Sequence, residues 1–524
     1  MGAHIERERK FDAPDGGAGL PDLRGLPGVD AVREAPTEEL DAVYYDTADH
    51  LLQAHRITLR RRTGGHDAGW HLKLPAGPDS RREIQLPLAE DDPAEAVPVE
   101  LALRIRARVR GGELVPVARL HTLRRRSLLL DADGRALAEI AEDAVAADRL
   151  RPPGPAGGWH EIEAELAPED TDGADGGSGG SGEAAGTRLL DAVEERFAGA
   201  GIRRSSSASK LARALGPAPA PGPGPATAPA AAPPGSVGEL LGDRLRTQVE
   251  TVLVLDGAVR RDRPDSVHRM RAAVRTLRTT LRAFRRYLDR AGVDGLDAEL
   301  QRLGRILGEA RDSEVLGSRL GEQLDALAPA ERPGPMDLRI GGWCADRYRA
   351  AYRRAIDELD GPRYFALVAA VERLAAAPPL AARARRAAGP ELLRVLEREL
   401  RRVAARISAA RELPPGAERD EGLHVARKAA KGARFTGETV EPAVGRPARR
   451  FARRMKAVQT LLGDRQDALV ARELIPEIAA AAQAAGEPGF GYGVLYAAQA
   501  AVIARTDAEL PAVWAPAARA LQPD

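Results

Sequence analysis

The sequence predicts an α+β protein of more than one domain, with a strand-rich first part and an all-helical second part. Segments of alternating polar and apolar residues recur before residue 216, as half-buried strands require. Residues 216–236 are uncharged and consist mainly of Pro, Ala and Gly, with too little bulky apolar surface to pack. Residues 237–515 are rich in Ala, Leu and Arg and show long amphipathic patterns. We therefore expect a β-rich domain over 1–215, a linker over 216–236 and an α-helical domain over 237–515.

Composition narrows the class of protein. A chain of 524 residues is too long for one ordinary core, and 44% hydrophobic residues allow each domain to bury its own. The single cysteine, Cys344, leaves no disulfide framework and no thiolate metal site. No apolar run approaches the roughly 18 residues of a membrane span, and no signal-peptide pattern opens the chain. These features predict a soluble, cytoplasmic protein with no membrane segment.

Charge is distributed unevenly between the two parts. Before residue 236 there are 29 Lys and Arg against 38 Asp and Glu, and after it 49 against 39. The formal charges are therefore −9 and +10, which agree with the net charge of +1 for the chain. An acidic module thus precedes a basic one.

The first predicted strand, residues 5–11, carries charge on one face. As a strand it places Glu6, Glu8 and Lys10 on the same side. The alternative is a short helix of mixed charge, because Glu6 and Lys10 have the favourable i,i+4 order. A run of Asp, Pro and Gly at 12–17 ends the segment too soon for a stable helix, so the strand is favoured. On a closed barrel, such a face indicates a polar interior that binds metal ions and an anion.

The remaining elements of the first part follow in order. Gly- and Ser-rich residues 171–186 predict a loop between a strand and a helix. Helical patterns cover 101–109 and 187–198. Period-two patterns predict strands at 56–62, 70–74, 82–88, 120–130, 136–141 and 159–166.

Several of these strands repeat the one-sided charge of the first. Each charged face alone is typical of the solvated side of a half-buried sheet. Three carboxylates on one face, however, repel one another unless cations are present. A metal ion would supply that charge, and acidic and basic faces would alternate around a barrel. The shared faces are Arg60 with Arg62, His71 with Lys73, Arg124 with Arg126, and Glu161 with Glu163 and Glu165.

These motifs resemble the CYTH family of triphosphate tunnel metalloenzymes over nearly all of residues 3–215. The signature Glu6-x-Glu8-x-Lys10 stands near the N-terminus. Five further elements follow in the family's order: Tyr45-Asp46-Thr47, Leu59-Arg60-Arg61-Arg62, His71-Leu72-Lys73-Leu74-Pro75, Glu161-Ile162-Glu163 and Ser209-Lys210-Leu211-Ala212-Arg213.

The resemblance implies an eight-stranded antiparallel tunnel with flanking helices, in which Mg²⁺ or Mn²⁺ bridges carboxylates to a triphosphate. It also implies metal-dependent hydrolysis, a phosphoryl transfer that needs positioning and charge neutralisation but no covalent nucleophile. The implied catalytic residues are Glu6, Glu8 and Lys10, with Asp143 as a further acidic group. The implied metal ligands are Glu6, Glu8, Glu161 and Glu163. The implied triphosphate contacts are Lys10, Arg60, Arg62, Lys73, Arg124 and Lys210.

The second part contains an internal repeat of basic residues. One stripe of like charge is usually a solvated helix face, yet like charges three and four residues apart destabilise a helix. A duplicated stripe therefore suggests a bound polyanion. A downstream motif repeats as well, at 306–312 and 461–467, and predicts two copies of a helical bundle. The first stripe is His268, Arg271, Arg275 and Arg278, and His424, Arg427, Lys431 and Arg434 repeat its spacing 156 residues later.

This part resembles the CHAD family, the conserved-histidine α-helical domain. The match is carried by His268-x-x-Arg271, by His424-x-x-Arg427-Lys428-x-x-Lys431 and by Arg453-Arg454-Met455-Lys456 on a later helix. It implies two pseudo-symmetric helical bundles around a basic channel that binds inorganic polyphosphate. Nucleic acid is the competing polyanion, but only 4% aromatic residues leave few platforms for bases to stack on. The implied polyphosphate contacts are both stripes together with Lys428, Arg454 and Lys456.

Three functions remain open at this level. The first is hydrolysis of inorganic triphosphate or short-chain polyphosphate in the tunnel, with polyphosphate held by the helical domain. The second is a polyphosphate-binding or granule-associated protein whose tunnel turns over little. Adenylate cyclase activity ranks third, because the sequence offers no adenine-recognition feature.

Overall fold

The computed structural model describes residues 2–13, 19–77, 79–88, 96–168, 179–217 and 232–522. The chain divides into two compact units, Met1–Gly224 and Pro225–Asp524. Within these described ranges, no helix combines the length and the apolar character needed to cross a membrane.

The first unit is a closed antiparallel barrel of eight strands, as predicted. The strands follow the order β5-β4-β3-β2-β6-β7-β8-β1, and β1 also pairs with β5, which closes the barrel. Helices α1 (Leu51–Ala54), α2 (Val99–Ile105), α3 (Gly179–Gly199) and α4 (Lys210–Leu215) flank it, and a short β9 (Arg203–Arg204) pairs with β1. The eight strands are β1 (Gly2–Asp12), β2 (Ala31–Asp46), β3 (Thr58–Thr63), β4 (Gly69–Pro75), β5 (Ser80–Leu86), β6 (Val115–Leu130), β7 (Ala136–Leu150) and β8 (Pro153–Leu166).

The sequence patterns found most of these strands but not all of them. Residues 5–11 lie in β1, so the alternative of a short helix is wrong. Strand β2 was missed, because its first nine residues are exposed or half-exposed and a register shift after Ala35 breaks the alternation. Helix α3 begins at Gly179, so the predicted loop is wrong over 179–186, while 171–178 lie outside the described residues.

The apolar cores of this unit lie outside the barrel wall. Phe11 and Ile162 point outward from β1 and β8 and pack against Val193 and Phe197 of α3. The rings of Phe11 and Phe197 meet edge to face at 4.9 Å. A second cluster joins the outer faces of β3, β4 and β5 to α2. Because side chains alternate along a strand, the charged residues between these apolar ones face the interior.

The second unit is all-helical, as predicted. Two runs of four helices, α5–α8 and α10–α13, follow each other along the chain, and α9 lies between them. The basic stripes lie on α6 and α11, the second helix of each run, and these two helices pack against each other. The helices are α5 (Val237–Arg260), α6 (Ser266–Ala283), α7 (Asp294–Asp325), α8 (Met336–Leu359), α9 (Pro362–Ala376), α10 (Ala388–Glu412), α11 (Ala417–Val444), α12 (Arg446–Ala484) and α13 (Phe490–Ala518).

Candidate functional sites

A charged cavity of about 410 Å³ occupies the barrel interior. Of the predicted tunnel residues, Asp143 and Glu161 do not line this cavity but lie beside it, bound to the lining residue Lys210. The predicted residues that line it are Glu6, Glu8, Lys10, Arg60, Arg62, Lys73, Arg124, Glu163 and Lys210.

One wall holds a buried acidic cluster of Asp143, Glu161 and Glu163, whose oxygens lie within 4.8 Å of one another. Asp143 stands opposite Glu161 in the β7–β8 register. Lys210 Nζ lies 2.9 Å from Asp143 and 2.7 Å from each glutamate. Burial raises the pKa of Glu163, but Lys10, Lys210 and Arg124 outweigh burial and hold that pKa well below its usual value. Glu163 is therefore anionic and neutralised by side-chain cations.

A second acidic wall is formed by Glu6 and Glu8 of β1 with Glu165 of β8. Lys73 Nζ donates to Glu6 Oε1 at 2.5 Å, and Lys10 Nζ donates to Glu8 at 3.0 Å. Glu6 Oε2 is buried without a hydrogen-bond partner among the described residues. Burial, reinforced by Glu6, raises the pKa of Glu165 to about 8, so this carboxyl group is mostly protonated at neutral pH.

The opposing wall presents buried guanidinium groups. Arg60 Nη1 donates to the Tyr44 hydroxyl at 3.4 Å, whereas the Nε atoms of Arg60 and Arg62 are buried without an acceptor in the described part of the chain. Burial, followed by repulsion from Arg60 and Arg124, lowers the pKa of Arg62 to about 9. Buried donors without acceptors are costly in the free protein, and a bound anion would satisfy them.

Helix α4 positions Lys210 inside the barrel. The hydroxyl of Ser209 caps the helix by accepting the N–H of Ala212 at 3.1 Å. Leu211 and Ala214 of the same helix are buried in an apolar cluster that also contains Tyr44. The cap and this packing together hold the ammonium group at the acidic cluster.

Sequence reasoning missed Glu83, which is buried and lines the cavity beside Lys73. Glu83 Oε1 lies 2.8 Å from His71 Nδ1 and 3.9 Å from Lys73 Nζ. Burial is the largest effect on His71, and together with repulsion from Arg60 and Arg62 it outweighs the hydrogen bond to Glu83 and lowers the pKa of His71 to about 4. His71 is therefore neutral at pH 7. A signal was available in the sequence, because the polar residues Arg81, Glu83 and Gln85 stand at every second position in and just before the strand predicted at 82–88.

The donor set of the tunnel fits a divalent metal ion. Carboxylate oxygens are the ligands that Mg²⁺ and Mn²⁺ prefer, and the acidic cluster offers three of them within reach of one ion. The unpartnered Glu6 Oε2 is a further oxygen aimed at no protein group. An ion at the acidic cluster would share its carboxylates with Lys210.

The second unit holds a basic channel between α6 and α11. A cavity of about 280 Å³ is lined by both stripes, and an adjacent cavity of about 810 Å³ adds Arg278 and Lys428. Arg434 lines neither cavity, and its guanidinium lies 4.4 Å from the Phe435 ring centroid. Arg454 and Lys456 are exposed and also line neither. The stripe residues that line the smaller cavity are His268, Arg271, Arg275, His424, Arg427 and Lys431.

Cationic side chains outnumber carboxylates in the lining of the smaller channel cavity. Burial, followed by repulsion from Arg275 and Arg427, lowers the pKa of Lys431 to about 7. Burial and repulsion from Arg271 lower the pKa of Arg275 to about 10, and its buried Nε has no acceptor among the described residues. Burial also lowers the pKa of His268 and of His424. Crowded cations with depressed pKa values would be stabilised by a bound polyanion.

The barrel with its charged tunnel and the helical unit with its basic channel define a two-domain protein in which a tunnel-type barrel precedes an all-α domain. Comparisons with known proteins agree: the CYTH domain model matches residues 4–176 and the CHAD domain model matches residues 243–476. Uncharacterized proteins of two Mycobacterium tuberculosis strains are 38% identical over 522 residues, which cover 97% of this chain and 95% of theirs. The chain belongs to this family of proteins with a CYTH domain followed by a CHAD domain. Members of the CYTH family are tunnel metalloenzymes that use divalent metals and act on triphosphates.

Solved structures match each part separately. The CHAD domain of the plant Ricinus communis is 25% identical, with 56% of this chain and 98% of that chain covered and a TM-score of 0.43. PptA from Streptomyces chartreusis is 19% identical, covering 53% and 99%, with a TM-score of 0.43. HpAC1 from Hippeastrum, which has a dominant triphosphatase activity, is 15% identical, covering 40% and 93%, with a TM-score of 0.22.

Proposed function

We propose that the tunnel hydrolyses inorganic triphosphate or short-chain polyphosphate with Mg²⁺ or Mn²⁺, and that the basic channel binds inorganic polyphosphate. The observation that carries the first part is one cavity inside the barrel whose lining combines carboxylates with guanidinium groups. These are Glu6, Glu8, Glu163 and Glu165 with Arg60, Arg62 and Arg124. Membership of the CYTH family supports a triphosphate as the substrate. The proposed chain organisation remains a tunnel domain over 1–215, a linker over 216–236 and a helical domain over 237–515.

The cationic residues would bind and orient the phosphates. Arg60 and Arg62 carry buried donors without acceptors, and Lys73 and Lys10 reach the same cavity from β4 and β1. These groups would neutralise the negative charge of the phosphate oxygens and hold the chain along the tunnel. Arg124 lies between Asp143 and Glu163, at 2.7 Å from each, and would place its charge between substrate and acidic cluster.

The carboxylates would hold the divalent cation and the attacking water. The candidate ligands are Glu6, Glu8, Glu161 and Glu163, with Asp143 completing the acidic cluster. A divalent cation supplies Lewis-acid polarisation of phosphate oxygens when bound. The remaining requirement is positioning, which phosphoryl transfer needs most.

Phosphate release from triphosphate tests the tunnel. The double variant Glu6→Gln, Glu8→Gln should release phosphate at least about 100-fold more slowly with either metal. The reason is that the divalent cation would lose two of its proposed carboxylate ligands, and such a loss in a phosphoryl-transfer site costs several kcal/mol. The matched control is Glu34→Gln, Glu39→Gln, which removes two charges from exposed positions on β2. Phosphate release that is equal in both variants would refute catalysis in the tunnel, and release of pyrophosphate from ATP with formation of a cyclic nucleotide would favour a cyclase.

Retention of long-chain polyphosphate tests the channel. The meeting of two basic stripes in one cavity also favours a second candidate, a polyphosphate-binding protein without turnover. Replacing His268, Arg271, His424 and Arg427 with Gln should weaken retention, because four donors leave the cavity together. The variant Arg349→Gln, Arg353→Gln, on an exposed face of α8, is the control for loss of positive charge. Retention with no phosphate release from any substrate would leave the binding protein, alone or on polyphosphate granules.

A further inference from the structure

The repeated motif at 306–312 and 461–467 accompanies the basic stripes without belonging to them. In both copies a glycine is followed four residues later by an aspartate. These residues are Gly308 and Asp312 on α7, and Gly463 and Asp467 on α12. Residues four apart share a helix face. In each copy, therefore, a helix position without a side chain lies next to a carboxylate on the same face.

In the first copy, Arg271 of α6 lies flat on that face. A Cβ at Gly308 would stand 3.1 Å from Arg271 Nη2 and 3.2 Å from Cζ, so the guanidinium rests where a side chain would otherwise be. Arg271 Nη1 donates to Asp312 Oδ1 at 2.7 Å. The glycine provides the space and the aspartate provides the charge.

The second copy repeats this geometry in a looser form. A Cβ at Gly463 would stand 3.5 Å from Arg427 Nε and 3.7 Å from Nη2. Arg427 Nη2 lies 3.9 Å from Asp467 Oδ1. The pairs α6–α7 and α11–α12 thus each place the second residue of a stripe on a Gly-x-x-x-Asp face. Because the same arrangement occurs in two separate helix pairs, it is unlike a chance contact.

Both carboxylates lie where the polyanion would lie. Asp312 and Asp467 line the smaller channel cavity together with Arg271 and Arg427. Two unit charges of like sign at 4 Å repel enough, even in bulk water, to lower affinity about fivefold, and more in a cleft. An exposed ion pair contributes less than this to ordering its arginine. These aspartates should therefore weaken polyanion binding by repulsion more than they strengthen it by ordering the two arginines.

We propose that Asp312 and Asp467 are built-in counter-ions that set the affinity of the channel for polyanions. In the free protein each aspartate neutralises the arginine that packs on the neighbouring glycine, Asp312 for Arg271 and Asp467 for Arg427. A bound phosphate chain replaces the aspartates as the partner of these arginines and is repelled by the two carboxylates. The inference rests on the proposed binding of polyphosphate and adds residues that oppose it.

The test measures binding of long-chain inorganic polyphosphate by the full chain across a range of salt concentrations. The variant Asp312→Asn, Asp467→Asn should bind at least about fivefold more tightly than the native chain. Its affinity should also fall more steeply with salt, because two more arginines would exchange solution counter-ions for phosphate. The matched control, Asp325→Asn, Asp346→Asn, removes the same charge from strongly exposed sites outside the cavities and should change neither quantity.

The outcomes separate this inference from the proposed function. Affinity that is unchanged or lower in Asp312→Asn, Asp467→Asn than in the control would overturn the counter-ion role, even if the native chain binds polyphosphate well. Absence of binding by the native chain and by every variant would instead refute polyphosphate binding itself. Thermal melting of each variant shows whether it is folded, and the salt dependence would not change through a purely structural role.

Discussion

Lys210 neutralises several carboxylates of the tunnel at once. Its buried ammonium contacts Asp143, Glu161 and Glu163 at once. Burial lowers the pKa of Lys210, but these carboxylates outweigh burial and raise that pKa well above its usual value. Removing one partner from a buried ionic group leaves charges without compensation, which is more costly than removing the whole group.

The variant Lys210→Met should therefore lower the free energy of unfolding by about 3–5 kcal/mol in metal-free buffer. Addition of Mg²⁺ should restore part of this loss, because a cation can replace the missing charge. Thermal or denaturant unfolding with and without Mg²⁺ measures both effects. Lys456→Met makes the same substitution at an exposed position and is the control. Equal unfolding curves for the two variants would contradict this account of the cluster.

Lys431 gives the channel a pH dependence near neutrality. Its pKa of about 7 in the free protein reflects burial first and then the neighbouring cations. A bound polyanion would raise this pKa, so binding above pH 7 requires the uptake of a proton. The groups that face this cavity are His268, Arg271 and Arg275 of α6, Arg311, Asp312 and Arg319 of α7, His424 and Arg427 of α11, and Asp467 of α12.

We expect polyphosphate affinity to fall above about pH 7, by at most about tenfold per pH unit for the one proton of Lys431. The variant Lys431→Arg keeps the charge throughout this range and should abolish the fall. Titration of binding at constant ionic strength measures it. A parallel decline in the native chain and in Lys431→Arg would mean that another group titrates.

At the scale of elements, α4 links apolar packing to the tunnel chemistry. Leu211 is 1% exposed, one residue after Lys210. The variant Leu211→Ala should lower the free energy of unfolding by about 2–5 kcal/mol through loss of burial and creation of a cavity. It should also lower triphosphate release, because Lys210 loses its anchor. Leu123→Ala, at a leucine that is 51% exposed, is the control and should leave both measurements close to native.

The elements also show what the sequence could predict. Strands β1, β3 and β4 were found because charged or polar residues recur at every second position, and the stripes on α6 and α11 were found because their spacing repeats. Strand β2 escaped, since half of it has no buried face. The partnership of Glu83 with His71 could not be read from either residue, because it depends on the β4–β5 register. The contacts of Gly308 with Arg271 and of Gly463 with Arg427 likewise could not be predicted, because they depend on how the helices pack.

At the scale of the whole molecule, the two stripes should act as one site. The double variants Arg271→Gln, Arg275→Gln and Arg427→Gln, Lys431→Gln each remove two cavity-lining cations from one stripe. If one phosphate chain contacts both stripes, the losses in binding free energy should be non-additive by about 0.5–3 kcal/mol when the variants are combined. Polyphosphate affinities of the four proteins in this cycle measure the coupling. Strict additivity would indicate two independent sites, and none of these variants should change triphosphate release by the tunnel.

The duplicated helical order has a consequence for the direction of the ligand. Because α5–α8 recur as α10–α13 and each run contributes one stripe, the channel offers similar donors to either end of a bound chain. Inorganic polyphosphate has two identical ends, whereas a nucleic acid strand has two different ones. If the channel binds polyphosphate as proposed, a chain with two identical ends would enter it equally well in either direction.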